Sequence, residues 1–81
     1  MLKITEHAIK RYIERIEKCS FIEAECKIRE IYLNGKIIAK KRKQIALQYN
    51  NAILIIENEG SFTTVKTVEH INFNSWWKVC K

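Results

Sequence analysis

Asn34-Gly35-Lys36-Ile37-Ile38-Ala39-Lys40 is where this chain changes its period. Before it, apolar residues recur three and four apart; after it, they alternate or run together in short β-branched blocks. The stretch therefore divides a helical half from a strand half. A chain of 81 residues has room for one layer of each.

Working back from Asn34, Phe21, Ala24, Ile28 and Ile31 form one apolar stripe with Tyr32 beside it, which predicts a helix ending at Asn34-Gly35. Gly35 suits the left-handed conformation that follows many helix ends. Ser20-Phe21-Ile22-Glu23 reads as a capping box, closing one helix and starting the next. The earlier helix carries Ile9, Tyr12, Ile13, Ile16 and Cys19 on its buried face, with Thr5 as N-cap and Glu6 in its first turn.

Working forward, Lys36–Lys40 reads as a short strand and Lys40-Lys41-Arg42-Lys43 as four consecutive cations. Ile45, Leu47 and Tyr49 alternate with Ala46 and Gln48, as a half-buried strand does. Asn50-Asn51 is a two-residue hairpin turn, since Asn tolerates positive φ. Ala52-Ile53-Leu54-Ile55-Ile56 is apolar on both faces and reads as a central strand. Glu57-Asn58-Glu59-Gly60 reads as a turn before a final β-branched strand from Phe62 to Val68. The expected fold is α+β in the order ααββββ. Two N-terminal helices pack on one face of a four-stranded antiparallel sheet, in a single domain over residues 1–81. The tail from Ile71 to Lys81, with Trp76-Trp77, fits none of these elements.

Fifteen Lys and Arg against nine Asp and Glu give a net charge of +6, which favours a polyanionic partner, RNA or DNA first. With 47% hydrophobic residues and no Pro, the chain is too apolar to be disordered. Cys19, Cys26 and Cys80 have no metal-ligand spacing, so neither a metal nor another cofactor is expected. No segment reads as a signal peptide or a membrane span, and a cytoplasmic location is expected.

The chemistry concentrates in Thr5-Glu6-His7-Ala8-Ile9-Lys10-Arg11-Tyr12-Ile13-Glu14-Arg15. His7, Arg11 and Arg15 are spaced i, i+4, i+8 and share one helical stripe. An imidazole that titrates near neutrality, backed by two permanent cations, suits the handling of a phosphate. On the final strand Lys66 and Thr67 can add a charge or a hydroxyl. Strict alternation sends these two to opposite faces. If Phe62 and Val68 pack under the helices, Lys66 shares their face, while Thr67, with Thr63 and Val65, faces away.

This layout, with its opening Thr5-x-His7-Ala8-x-x-Arg11-Tyr12-x-x-Arg15, resembles the RelE/ParE-like superfamily. Within that superfamily it is similar to a family of small bacterial proteins with a T-x-H-A-x-x-R-x-x-x-R motif. The likeness covers roughly residues 4 to 70, including Gly35 and Val65-Lys66-Thr67-Val68. The resemblance implies metal-independent cleavage of RNA by attack of a ribose 2′-hydroxyl on the adjacent phosphate, as in a ribonuclease toxin. In that reading His7 is the general base or acid, Arg11 and Arg15 hold the phosphate, and Thr67 lines the site. Lys66 and the run Lys40, Lys41, Arg42 and Lys43 contact nucleic acid.

The alternative is a non-catalytic basic module of the same fold that binds nucleic acid or inhibits a protein complex, as ParE-like proteins do. An acidic antitoxin is a further partner class, and Trp76 and Trp77 suggest a homodimer contact. Against these stand plainer expectations: Arg11 and Arg15 paired with neighbouring acids, a solvated Lys40–Lys43, and His70 incidental rather than a partner acid.

Overall fold

The computed structural model describes residues 2–72, so Trp76, Trp77 and Cys80, and with them the expected homodimer contact, lie outside the described residues. The order is β1 (Leu2–Ile4), α1 (Glu6–Arg15), α2 (Phe21–Asn34), β2 (Lys36–Lys41), β3 (Gln44–Tyr49), β4 (Ala52–Glu59) and β5 (Phe62–His70). The α+β class holds, but the sheet has five strands in the order β1-β5-β4-β3-β2 rather than four. It is mixed rather than antiparallel, because β1 runs parallel to β5 with Leu2 opposite Thr63 and Ile4 opposite Val65. Three residues before a helix N-cap carry no periodicity of their own; their strand character comes from pairing with a distant segment.

Thr5 joins the two halves. Its hydroxyl accepts from the Ala8 amide at 3.1 Å, capping α1, and donates to the Val65 carbonyl at 2.9 Å. One side chain thus starts the helix and ties it to β5. Ser20 caps α2 by accepting from the Glu23 amide at 3.2 Å, and its hydroxyl donates to Glu23 Oε1 at 3.1 Å.

Gly35 departs from expectation. Its φ of −71° and ψ of 157° are extended, not left-handed. Glycine is required there for space: a Cβ would lie 2.6 Å from the Ile31 carbonyl oxygen and 3.2 Å from that of Gln48. The helix end is pressed against β3.

The helices cover one face of the sheet. Ala8, Ile9, Tyr12, Ala24, Ile28 and Ile31 pack on Ile45, Leu47, Leu54, Ile56, Val65 and Val68. Phe21, expected in this stripe, is 46% exposed at the first turn of α2. The second face has its own apolar patch of Ala39, Ala46, Ile53 and Ile55, with Ile38 and Ile71 against it. This explains why Ala52–Ile56 is apolar on both sides. Among the described residues no helix is long and apolar enough to cross a membrane.

Candidate functional site

Two bulges set which side chains share a face. Along β4 and β5, Ile55 faces Thr67 but Ile56 faces Val65, so Lys66 is an extra residue in β5. Alternation from Val65 and from Thr67 then places Lys66 and Thr67 on the same, second face. The expected opposition of these two residues fails for this reason, and Val65 faces the helices rather than away. Phe62, opposite Glu59, also falls on the second face. A matching shift between Ile37 and Ala39 makes Ile38 the extra residue in β2.

The α1 stripe runs beside the free edge of β5. Strand β1 covers β5 only as far as Val65. Beyond it, α1 continues alongside, fixed by the Thr5 hydroxyl at Val65 and, at 3.4 Å, at the Lys66 carbonyl. His7 lies exposed in the first turn of α1, two residues after Thr5. Arg11 Nε donates to His7 Nε2 at 3.5 Å, the long limit of such a bond, while Arg11 Nη1 pairs with Glu14 at 2.7 Å.

Arg15 has a different employment. It forms an ion pair with Glu69, whose side chain is only 8% exposed. Glu69 lies opposite Ile53, on the second face, so the Arg15 side chain passes round the β5 edge to meet it. A guanidinium committed to a buried carboxylate is a structural group first. Sequence reading missed Glu69. Its signal is an acid set in a β-branched strand, next to Val68.

The four cations of Lys40–Lys43 do not form one face. Lys40, opposite Ile45, points to the helix side, while Lys41, opposite Gln44, points to the second face. Arg42 and Lys43 form the turn between β2 and β3, and Arg42 is held at φ 55°. Lys41, Arg42, Lys43, Gln44 and Glu57 line a cleft of about 580 Å³. Within 4.0 Å no ion pair forms between these cations and a carboxylate of the described residues.

His70 is engaged locally. Its Nδ1 accepts from the Asn72 amide at 3.1 Å, at the end of β5 away from the bulge. Cys19 and Cys26 are free, and burial, then the nearby Glu17 and Glu23 carboxylates, raise the Cys19 thiol above its ordinary value. Such a thiol is poorly suited to act as a nucleophile.

A second cleft, of about 300 Å³, opens between the helices and the β3–β4 turn, with Tyr12, Glu17, Lys27, Glu30 and Tyr49 among its lining. Tyr12 Oη donates to Glu17 Oε1 at 3.2 Å. Burial first, and then Glu17, push the Tyr12 phenol up to about 12, so it stays neutral.

Helix α1, which carries His7 and Arg11, packs along β5, which carries Lys66 and Thr67. Lys41, Arg42 and Lys43 lie at the opposite edge, about 14 Å across at ordinary strand spacing. No protein-family model matches this chain, and no curated protein or solved structure matches it either.

Proposed function

We propose that this protein binds nucleic acid, single-stranded RNA first, through the cationic β2–β3 turn and the adjoining second face of the sheet. The observation that carries this reading is the backbone of Arg42. Of the hairpin turns, that after β3 uses Asn50 at φ 55° and that after β4 uses Gly60 at φ 71°, residues suited to positive φ. The turn after β2 uses Arg42 at φ 55°, a conformation that costs a residue of its kind about 1 kcal/mol or more. Stability alone favours Gly or Asn at that position. A row of cations on a strained tip, without carboxylate partners, is suited to phosphate contacts. The test is binding of labelled single-stranded RNA by the protein and by a Lys41→Glu, Arg42→Glu, Lys43→Glu variant. Loss of binding in the variant supports the reading, and unchanged affinity overturns it.

A second reading, metal-independent RNA cleavage, is favoured by one separate observation. Arg11 meets His7 on the helix whose N-cap, Thr5, bonds the Val65 and Lys66 carbonyls at the bulge that turns Lys66 and Thr67 to a common side. The resemblance of the opening motif to RelE/ParE-like proteins points the same way. In this chemistry His7 takes the proton of a ribose 2′-hydroxyl, O2′ bonds to phosphorus, the P–O5′ bond breaks, and the leaving O5′ takes a proton from water. Arg11 and Lys66 neutralise the phosphorane, a contribution of about 10²–10³ in rate for one well-placed donor. Arg15 enters only by leaving Glu69. Incubation of structured RNA with the protein in excess EDTA tests this. Products ending in 2′,3′-cyclic phosphate, absent with His7→Ala, support it; equal cleavage by both proteins, or none by either, contradicts it.

A further inference from the structure

A single polar row crosses the whole sheet. Lys41 of β2 lies opposite Gln44 of β3, Gln44 opposite Glu57 of β4, Glu57 opposite Thr64 of β5, and Thr64 opposite Lys3 of β1. Ala39, Ala46 and Ile55 of the second-face patch stand two residues from Lys41, Gln44 and Glu57, which fixes the row on that face. Cross-strand partners on one face hold their Cβ atoms about 5 Å apart, so the five side chains form a continuous band.

The middle of this band is chemically uncommitted. Gln44 and Glu57 line the same cleft as the cationic turn, and neither takes part in any of the side-chain bonds or ion pairs among the described residues. Beside Glu57, the Thr64 hydroxyl is buried with no hydrogen-bond partner, in a residue 5% exposed. Buried hydroxyls are nearly always satisfied, so this orphan marks the row as polar beneath its surface without itself reaching the cleft. Two residues before Thr64, Phe62 presents an exposed ring on the same face. An exposed aromatic ring beside a cationic groove is a platform on which a base can stack.

The geometry points to a guanine-recognition subsite at Gln44 and Glu57, beside the phosphate-binding turn. This inference rests on the nucleic-acid reading given above. An ionised carboxylate only accepts hydrogen bonds, and its two oxygens accept side by side. Guanine alone among the bases offers two adjacent donors, N1–H and the N2 amino group, on its pairing edge. Adenine and cytosine set a ring-nitrogen acceptor beside their amino group, and uracil sets its one N–H between two carbonyls. Each therefore turns an acceptor towards Glu57. Guanine O6 then takes a donor, which Gln44 Nε2 supplies from the same cleft.

The test measures anisotropy of labelled single-stranded RNA octamers, one containing a single central G and matched ones with A, C or U at that position. Wild-type protein is expected to bind the G-containing strand about ten-fold more tightly, within the range of one good bidentate base contact. Glu57→Gln is expected to abolish that advantage, whereas a carboxylate that merely repels phosphate would on neutralisation strengthen all strands equally. Gln44→Leu, which removes the donor to O6, is expected to reduce the G preference several-fold while salt-sensitive binding to the other strands persists. Equal affinity of the wild type for all octamers overturns the guanine subsite and leaves the cationic turn standing. Absence of salt-sensitive binding to any octamer overturns both.

Discussion

Arg15 at the end of α1 and Glu69 in β5 form an ion pair across the free edge of the sheet, the carboxylate buried and the guanidinium 30% exposed. The pair locks the helix terminus to the strand that Thr5 already holds at the other end of α1. Removing one partner leaves a buried charge unpaired. Arg15→Met is expected to cost about 2–3 kcal/mol, less than a fully buried pair because solvent reaches the guanidinium. Denaturant unfolding checks this, and Arg15→Met with Glu69→Leu is expected to recover much of the loss.

Arg42→Gly separates stability from function. Glycine relieves the positive φ of Arg42 but gains freedom in the unfolded chain, so a net stabilisation of about 0.5–1 kcal/mol is expected. The same substitution is expected to weaken RNA binding. Thermal unfolding and RNA titration of the one variant read both effects.

Gly35→Ala places a methyl 2.6 Å from the Ile31 carbonyl oxygen, a backbone atom that cannot swing away. Overpacking of this kind costs about 1–3 kcal/mol, and a lowered melting temperature is the expected result.

Alkaline stability reports on Tyr12. Its phenol titrates at about 12 in the folded protein against an ordinary 10.0, so in that window the unfolded state releases its proton first. The contribution is intact below pH 10 and is lost as the pH rises towards 12. Tyr12→Phe is expected to flatten stability against pH over that range, as followed by unfolding at fixed denaturant.

The helical half was legible in the sequence because its signals are local. Thr5 and Ser20 are the caps, and Ala24, Ile28 and Ile31 are the stripe. Asn50 also turns the chain as read. What escaped depends on partners distant in sequence. Leu2–Ile4 becomes a strand only through β5, and the Lys66 bulge exists only as a mismatch between two strands. That bulge decides the site, because it reverses the face expected for one of two neighbouring residues. Glu69 was overlooked for the same reason: nothing near it in sequence announces Arg15. His7 and Arg11 do share a stripe, as their spacing implied, and their contact is direct. Gly35 is the expected residue for a different cause, since crowding by the Ile31 and Gln48 carbonyls follows from the packed backbone and not from the local pattern.

The most direct test is the affinity of a labelled single-stranded RNA for the protein and for its Lys41→Glu, Arg42→Glu, Lys43→Glu variant across a salt series. For wild type, log K is expected to fall linearly with log salt, by about 0.7 per phosphate neutralised on a single strand. The variant should lose most of the affinity and about two units of that slope. Salt-insensitive binding, or a variant that binds as tightly as wild type with the same slope, would contradict the assignment of the β2–β3 turn as the phosphate contact.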